Sequence, residues 1–441
     1  MNRALLRHAP LRPRARAGVR PGRRRLAMLA LAALAFPAAF VWGCAGPRHV
    51  TEPSATGLPA GVVVRSHPWY TRAHHAGGTF RNLSPTLPQP SFARVAAWIV
   101  TRRVLGRAFS RADETPTATV PLDPAALRVR PERLRATWLG HATVYVQTPT
   151  LDLLLDPVFS GVVGPLPGVG PDRRTALPVP LDSLPGVDVV LVSHDHYDHF
   201  DRASVRRLVE RFDPVFVVPL GLGPYVRAWG ARRVAELDWW QYVDLPGGAE
   251  SSAPVRITCT PSVHNSGRRV GAFDRTLWAG WHVAEQPAVA PARGATPEAA
   301  SVRPLTLFYA GDTGYGPHFA AVRERLGPPD VAVLPVGAYE PRSMTGAYHI
   351  TPEEALQAFV DLGGGEQLAP GEARHALGVH WGTFELTDEP FDEPPLRLAA
   401  AVNQAGLGAR VHTLPVGGQF ELDRDGRRLS SGDSLSSTHV W

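Results

Sequence analysis

The seven-residue stretch SHDHYDH at Ser193–His199 holds three histidines and an aspartate, Asp198, in the spacing H-x-H-x-D-H. It follows the apolar run Val187–Ser193 and precedes Ala203–Phe212, whose apolar residues recur at helical intervals. A continuous apolar run is typical of a strand covered on both faces. If the strand continued, the last histidine would face away from the other three side chains. We therefore expect a turning loop between a buried strand and a helix, with four polar side chains converging in it.

The side chains of this loop are of the kinds that bind divalent metal ions. Neutral imidazoles and carboxylates suit zinc and other first-row ions. The chain has only two cysteines, Cys44 and Cys259, which excludes a thiolate-rich metal site and a framework of several disulfides. One ion cannot accept all four side chains and keep an open position if more histidines reach it, so further ligands are sought at other strand ends. The candidate ligands of the loop are His194, His196, Asp198 and His199.

Two further candidate ligands follow predicted strands. His264 comes shortly after the strand Val255–Thr260 and is favoured over His282, which lies in a Trp-rich strand pattern and is expected to be packed. Asp312 follows the strand Leu305–Ala310 in the sequence AGDTG, where glycines let the backbone bend and point a carboxylate into a cleft. An ordinary turn or helix-cap aspartate is the alternative at this position.

The last candidate ligand, His380, closes the predicted strand Ala376–Val379 in the sequence GVHWGTF. His375 precedes the same strand and is expected to be exposed to solvent. Cys259 is expected to be a small buried apolar residue without a chemical role.

Strand-like and helix-like runs alternate through the rest of the chain, which predicts α/β layers. The other predicted strands are Leu134–Leu139, Thr143–Thr148, Leu151–Leu155, Val215–Val218, Leu277–Val283 and Val331–Val336. The other predicted helices are Phe92–Ala108, Pro317–Leu326, Pro352–Leu362 and Pro395–Gln404. Glu285–Pro304 is Ala/Pro-rich and is expected to be an exposed insertion, and Ser430–Ser437 a solvated tail.

The net charge of the chain disfavours nucleic acid as a partner. The formal charge is +6, but nine arginines and no acidic residue precede Cys44. Without them, 37 basic residues stand against 40 acidic ones, a net charge of −3. Such a body lacks the basic excess that neutralises phosphates along a strand.

The N-terminal segment has the pattern of an export signal. An arginine cluster precedes the apolar stretch Leu26–Trp42, which Gly43 and Cys44 follow. The sequence VWGC (Val41–Cys44) resembles the bacterial lipobox, in which the cysteine is lipidated. An uncleaved membrane anchor is the alternative, although 17 residues is short against the ~20 that a membrane span needs.

The sequence resembles the metallo-β-lactamase superfamily and, within it, the branch of N-acylphosphatidylethanolamine-hydrolysing phospholipase D. The resemblance covers roughly Gly77 to Gly406, and its long runs are more specific than the metal motif alone. The matching runs are GTFRN (Gly78–Asn82), TWLGHAT (Thr137–Thr143), DPVFS (Asp156–Ser160), SHDHYDHFD (Ser193–Asp201), GDTGY (Gly311–Tyr315), LPVGAYEPR (Leu334–Arg342) and HWGTF (His380–Phe384).

The resemblance implies an αββα sandwich, in which two mixed β-sheets are flanked by helices. It implies two Zn²⁺ ions, with Mn²⁺ or Fe²⁺ as alternatives: His194, His196 and His264 bind one, Asp198, His199 and His380 bind the second, and Asp312 bridges both. Asp156 and His349 match positions important for activity and are expected in an outer layer or on the substrate, while His141 lines the cleft. The predicted catalytic residues are Asp198, Asp312, His349 and Asp156.

By this resemblance the expected activity is hydrolysis of a phosphodiester, of the phospholipase D type, on N-acylphosphatidylethanolamine-like phospholipids. Two divalent ions lower the pKa of a bridging water toward neutrality, which makes hydroxide the expected nucleophile. The same chemistry would open a lactone or another carboxylic ester, so such a hydrolase is the nearest alternative. A non-catalytic surface lipoprotein is an alternative of another class, but that role gives no reason for seven intact ligands.

The expected organisation has four parts. Residues 1–43 form a lipoprotein-type signal peptide, 44–130 an N-terminal extension packing on the core, 131–425 the metallo-β-lactamase domain and 426–441 a flexible tail. The expected place is the bacterial cell envelope, exported and lipid-anchored on a periplasmic or outer-membrane face. The expected partners are a phospholipid or other small phosphodiester and a membrane surface, but no nucleic acid; whether the chain is a monomer or a homodimer is left open.

Overall fold

Two mixed β-sheets dominate the computed structural model, which describes residues 52–84, 90–91, 93–94, 97–98, 101, 117–247, 253–268, 271–286, 304–368 and 373–429. Outside these residues lie the predicted signal segment with Cys44, most of the predicted helix Phe92–Ala108, most of the predicted insertion Glu285–Pro304 and the predicted tail Ser430–Ser437.

The described strands are short, and their bounds in chain order are as follows. They are β1 (Ser54–Thr56), β2 (Arg65–Ser66), β3 (His75–Ala76), β4 (Thr79–Phe80), β5 (Leu134–Gly140), β6 (Thr143–Gln147), β7 (Asp152–Leu155), β8 (Val189–Leu191), β9 (Val215–Pro219), β10 (Arg233–Leu237), β11 (Gln241–Leu245), β12 (Val255–Thr260), β13 (Gly280–Glu285), β14 (Thr306–Tyr309), β15 (Val331–Pro335), β16 (His375–Val379), β17 (Val411–Thr413), β18 (Gln419–Leu422) and β19 (Arg428–Leu429).

The described α-helices are α1 (Arg202–Phe212), α2 (Gly223–Ala228), α3 (His318–Leu326), α4 (Arg342–Thr345), α5 (Pro352–Asp361) and α6 (Glu393–Gln404). Short 3₁₀ turns lie at Ala126–Arg128 and Leu181–Ser183. The four predicted helices that lie wholly on described residues are found within two residues of their predicted bounds.

The first sheet has the order β1-β10-β9-β8-β7-β6-β5-β18-β19, and the second has the order β17-β16-β15-β14-β13-β12-β11-β2. Strands β7 to β10 run parallel to one another in the first sheet, and β14 to β17 do so in the second. The remaining pairs within these two sheets are antiparallel. Both sheets are therefore mixed, as predicted.

The side chains of the central strands alternate between two apolar layers. Val189 and Leu191 of β8 join the large core shared by both sheets, whereas Val190 between them joins a second core that includes Val205 and Leu208 of α1. Alternate strand residues point to opposite faces, so a strand covered on both sides is apolar throughout. The large core also takes in apolar residues of α3, α5 and α6. The result is the predicted sequence of layers: helix, sheet, sheet, helix.

The segment before the first long strand is tied to the sheets by one buried carboxylate. Asp238 accepts hydrogen bonds from Tyr70 Oη at 3.0 Å and Trp239 N at 2.9 Å, and lies 2.5 and 2.8 Å from the Nε2 atoms of His74 and His75. A carboxylate surrounded by four such partners has its lone pairs occupied. Residues 70–75 are thereby anchored to the turn between β10 and β11.

Candidate metal centre

The predicted ligands come from loops at one edge of the two sheets. The turning loop follows β8, while His264, Asp312 and His380 follow β12, β14 and β16. In open α/β sheets the carboxyl ends of parallel strands form the usual edge for a site. The predicted strand Val187–Ser193 is shorter in the structure, ending at Leu191, so Ser193 already belongs to the loop.

Unusual backbone conformations let these strand ends turn sharply. His141, Asp156 and His380 have positive φ angles of 54°, 37° and 65°. Such angles are uncommon for residues with a Cβ and cluster at functional sites. Gly311 has a φ of +61°, and a Cβ there would lie 2.6 Å from Cβ of Ser193. Glycine is therefore required for the backbone before Asp312 to pass beside the histidine loop.

Three histidines form the first cluster of ligand atoms. Nε2 of His194 lies 2.9 Å from Nδ1 of His196, which lies 3.3 Å from Nε2 of His264. Zinc–nitrogen bonds of about 2.0–2.1 Å in a tetrahedron place two ligand nitrogens about 3.4 Å apart. The first cluster thus has dimensions that suit a single ion.

Two histidines and a carboxylate form the second cluster. The Nε2 atoms of His199 and His380 are 3.1 Å apart and lie 3.5 and 3.6 Å from Oδ2 of Asp198. His141 is adjacent, with its Nε2 2.9 Å from the same oxygen. These four side chains could hold a second ion.

Asp312 lies between the two clusters. Its Oδ2 is 3.1 Å from Nε2 of both His199 and His380, and 4.0 and 3.9 Å from Nε2 of His194 and His264. Its Oδ1 is buried, and no described residue donates a hydrogen bond to it. An unpartnered buried carboxylate oxygen is costly, and cations on either side would satisfy it. The donor set fits two divalent ions bridged by Asp312.

Burial and neighbouring charges tune the protonation of these side chains. Burial lowers the pKa of His194 and His264 well below the usual 6.5, which keeps both in the neutral form that binds metal. Burial also lowers the pKa of His380, but the Asp312 and Asp198 carboxylates outweigh it and raise that pKa to about 9. Burial would raise the pKa of Asp312, yet His199 and His380 hold it well below the usual range. Asp312 therefore carries a negative charge at neutral pH.

Asp156 orients two of the histidines from behind. Its Oδ2 accepts from Ser193 Oγ and Tyr309 Oη at 2.5 Å each and lies 2.6 Å from His199 Nδ1, while its Oδ1 accepts from Ser193 N at 2.7 Å. Ser193 Oγ is in turn 2.9 Å from Nδ1 of His194. Such bonds direct the Nε2 atoms of both rings toward the centre. Asp156 is fully buried, and these contacts favour the outer-layer position expected for it over a contact with the substrate.

His264 is held by partners that sequence reasoning did not assign. Its Nδ1 lies 3.1 Å from the Tyr348 carbonyl, which leaves Nε2 for an ion. Asn82 makes two hydrogen bonds with the backbone of His264: its Oδ1 accepts from His264 N at 3.1 Å, and its Nδ2 donates to His264 O at 2.9 Å. Asn82 belongs to the predicted GTFRN run, but a contact across 182 residues leaves no local signal.

His349 lies beside the centre, and its Nδ1 has no hydrogen-bond partner within the described parts of the chain. That atom is buried and 3.8 Å from Oδ2 of Asp312, and the side chain is 17% exposed. Burial lowers the pKa of His349 to about 4, so the ring is neutral at pH 7. Its side chain is thus partly accessible beside Asp312.

A groove leads away from the second cluster. His141 and His380 lie at the centre's end, and most other lining residues are apolar or aromatic. The latter include Ala338, Trp381, Phe384, Leu386, Pro390 and Phe391. Glu385, Thr387 and Glu389 also line it, so the groove offers both apolar and polar surface next to the centre.

Of two further histidines, the environment predicted from the sequence is wrong for His375 and right for His282. His375 was expected to be solvent-exposed, and this is wrong: it lies in β16, is 3% exposed and has Nδ1 3.2 Å from Nε2 of His412. The reason is that β16 is an inner strand between β15 and β17. His282 is packed in β13 as predicted, and Cys259 is a buried free thiol in β12.

Comparison with known proteins agrees with this architecture. Residues 152–381 match the family described as the Beta-lactamase superfamily domain. An uncharacterized protein of Mycobacterium bovis is 34% identical over 355 residues, 78% of this chain and 83% of that one. N-acyl-phosphatidylethanolamine-hydrolyzing phospholipase D 1 of Caenorhabditis elegans is 33% identical over 269 residues, 59% of this chain and 67% of that one. A solved metallo hydrolase of Ignicoccus hospitalis is similar at 20% identity, covering 66% of this chain and 99% of that one, with a TM-score of 0.46.

Proposed function

This chain belongs to the metallo-β-lactamase superfamily and is a metal-dependent hydrolase, and on that premise we propose that it is a binuclear phosphodiesterase of the phospholipase D type. Its proposed substrates are N-acylphosphatidylethanolamine-like phospholipids, and its proposed metals are two Zn²⁺ ions, with Mn²⁺ or Fe²⁺ as alternatives. The observation that carries the proposal is the carboxylate of Asp312: it is negatively charged, lies between two sets of ligand atoms, and has no partner for its Oδ1 among the residues that the structure covers.

The proposed centre assigns His194, His196 and His264 to one ion and Asp198, His199 and His380 to the other, with Asp312 shared. Two divalent cations in such a site supply Lewis-acid chemistry and a nucleophile drawn from water at neutral pH. The protein's own part is to aim the ligand atoms, through Asp156 and Ser193 behind the rings.

His349 is the proposed contact to substrate. Its ring is neutral at pH 7, and its Nδ1 faces the region of Asp312 without a partner. A neutral imidazole can donate one hydrogen bond to a phosphoryl oxygen as negative charge develops there. His141 has a different task, since its Nε2 is 2.9 Å from Asp198 and fixes that carboxylate.

Three observations favour a phospholipid over other esters. Apolar and aromatic side chains line part of the groove from His380, beside Glu385 and Glu389, and that part suits an acyl chain. The net charge of −3 after residue 43 gives no support for a nucleic-acid substrate. The relative from Caenorhabditis elegans is named for hydrolysis of N-acyl-phosphatidylethanolamine. In the proposed reaction water cleaves one P–O bond: hydroxyl goes to phosphorus and a proton to the leaving alcohol, giving phosphatidic acid and an N-acylethanolamine.

A substrate screen tests the proposal. The purified chain, loaded with zinc, manganese or iron, is assayed on N-acylphosphatidylethanolamine in mixed micelles and on panels of lactones and carboxylic esters. We expect metal-dependent release of phosphatidic acid, with kcat/KM reduced at least about 100-fold in Asp312→Asn. Faster turnover of lactones or carboxylic esters would replace the proposal by the alternative hydrolase. Absence of bound metal and of turnover would indicate a non-catalytic surface lipoprotein.

The proposed setting is the bacterial cell envelope, with lipid attached at Cys44, which lies outside the described residues. Across the described ranges, no helix combines the length and apolar character that crossing a bilayer would demand. A lipid anchor would raise the rate of encounter with phospholipid substrates. Mass spectrometry of the protein isolated from bacterial membranes should find a lipidated Cys44; an intact segment before Cys44 would favour the membrane-anchor alternative.

A further inference from the structure

We propose that Arg268 is a positioning residue that fixes the histidine loop relative to His264, so that both ligand clusters form in register. The proposal rests on the two-metal centre proposed above and concerns how that centre is held together. Arg268 lies four residues after His264 on the segment that leaves β12, whereas the loop follows β8 in the other sheet.

The guanidinium of Arg268 spans the two ends of the histidine loop. Its Nη1 donates to the carbonyl of Asp195 at 2.7 Å and to the carbonyl of Phe200 at 2.7 Å. Three of the candidate ligands, His196, Asp198 and His199, lie between these two carbonyls in the sequence. A change in the distance between the carbonyls would therefore move all three.

The histidine loop also makes hydrogen bonds to the backbone of Arg268 and its neighbour. Tyr197 Oη donates to the carbonyl of Arg268 at 2.7 Å, and the adjacent Gly267 N donates to Oδ1 of Asp195 at 2.8 Å. The guanidinium carbon lies 4.0 Å from the ring centroid of Tyr197, and 5.2 and 5.5 Å from those of Phe200 and Trp229. Four hydrogen bonds thus join the histidine loop to Gly267 and Arg268, with donors on both segments.

The environment suits this task better than a task on the substrate. Arg268 is 8% exposed, and among the described residues no carboxylate forms an ion pair with it. Its charge is directed to carbonyl dipoles and aromatic faces, which are attractive partners for a planar guanidinium in a desolvated site. A lysine would keep the charge but lose the flat surface and the rigid fork of donors.

The test measures metal binding rather than turnover. Arg268→Met and Arg268→Lys are compared with the unaltered chain and with Arg256→Met, a matched control. Arg256 also stacks on an aromatic ring, 4.0 Å from the Tyr242 centroid, but lies at the far end of β12 from His264. Cobalt titration reports the coordination geometry, and competition with a chelator reports zinc affinity.

We expect Arg268→Met to bind zinc about 10–100-fold more weakly, as is typical when a residue that orients ligands is lost. Its cobalt spectrum should also change in both sites, because the loop contributes ligands to both. Arg268→Lys should show a smaller loss, and Arg256→Met none. Circular dichroism establishes that each variant is folded; if Arg268→Met is not, the lysine variant carries the test.

Two equivalents of metal bound with unaltered affinity and spectrum in a folded Arg268→Met or Arg268→Lys protein would overturn the role of Arg268. Failure of the unaltered chain to bind metal would instead overturn the proposed function itself, and this proposal with it.

Discussion

Replacing Asn82 by alanine should remove one metal ion from the centre before the other. Asn82 makes three hydrogen bonds: two with the backbone of His264, and one from Trp278 Nε1 to its Oδ1 at 2.9 Å. In the alanine variant, His264 N and Trp278 Nε1 lose the oxygen that accepts their hydrogen bonds, and the His264 carbonyl loses its donor. An unsatisfied buried polar group costs about 1–3 kcal/mol, and water can reach part of a half-buried site. A loss of about 2–4 kcal/mol in the stability of the His264 segment follows.

This local loss should be transmitted to the first cluster alone. Nε2 of His264 lies 3.9 Å from Oδ2 of Asp312, and His264 does not belong to the second cluster, so that cluster does not depend on it directly. Because 1.4 kcal/mol is tenfold in an equilibrium constant, a loss of about 2–4 kcal/mol should lower zinc affinity at the first cluster about 30–700-fold. Asn82→Asp should lie between alanine and asparagine, because it keeps both accepting contacts but loses the donor to the His264 carbonyl.

The assay is zinc content after dialysis against graded concentrations of chelator. In Asn82→Ala one equivalent should be lost at a chelator concentration that leaves the unaltered chain with two. Asn403→Ala, at an exposed position of α6, serves as the control and should behave like the unaltered chain. Loss of both ions together, or retention of both with unaltered affinity, would refute the reasoning.

Three other perturbations have expected outcomes that follow from the same geometry. Asp156→Asn removes the carboxylate behind His199 and should lower zinc affinity about 10–100-fold while leaving the cleft open, measured by chelator competition. His349→Asn should lower kcat about 10²–10³-fold with two ions still bound, shown by kinetics beside metal analysis; loss of metal would instead make it a ligand. Burial, and after it the charge of Arg428, lowers the pKa of His375 to about 4 and that of His412 to about 3. Both rings are therefore neutral in the folded protein but become protonated near pH 6.5 when the chain is unfolded. The free energy of unfolding is therefore highest above about pH 6.5 and declines toward pH 4. In His412→Gln, the slope of this free energy against pH, measured by urea unfolding, should be smaller there by about 1.4 kcal/mol per pH unit; an unchanged slope would contradict this.

The ligands could be predicted because each carries its signal locally. The loop at Ser193–His199 is dense in ligand-type residues, and His264, Asp312 and His380 each follow an apolar run that forms a strand. Strand ends in a layered α/β fold gather at one edge, so placing the strands also places the side chains. The split into two clusters needed the family resemblance, since spacing alone does not say which ligand meets which.

Strands with polar residues were missed for a physical reason. β10 contains Glu236, which is fully buried because it accepts from Gly221 N at 2.6 Å and Gly223 N at 3.2 Å. A strand whose buried acid is satisfied by distant backbone groups does not show the apolar run on which prediction depends. β11 follows directly after the pair Trp239 and Trp240, and its alternating burial appears only once its partner β12 is known.

Residues that orient ligands were likewise beyond sequence reasoning. Asn82 and Arg268 act through contacts across 182 and 73 residues, and the exposed or buried state of His375 depends on which strands flank β16. These are properties of packing rather than of local pattern. The GTFRN run marked Asn82 as a matching position but gave no partner for it.

The most direct test of the two-metal centre is an anomalous-difference map from crystals of the zinc-loaded protein. We expect two peaks: one about 2.0–2.1 Å from ring nitrogens of His194, His196 and His264, the other at the same distance from those of His199 and His380. Asp312 should lie between the peaks, with an oxygen toward each. A single peak, or zinc at the His74, His75 and Asp238 cluster with none beside Asp312, would contradict the account.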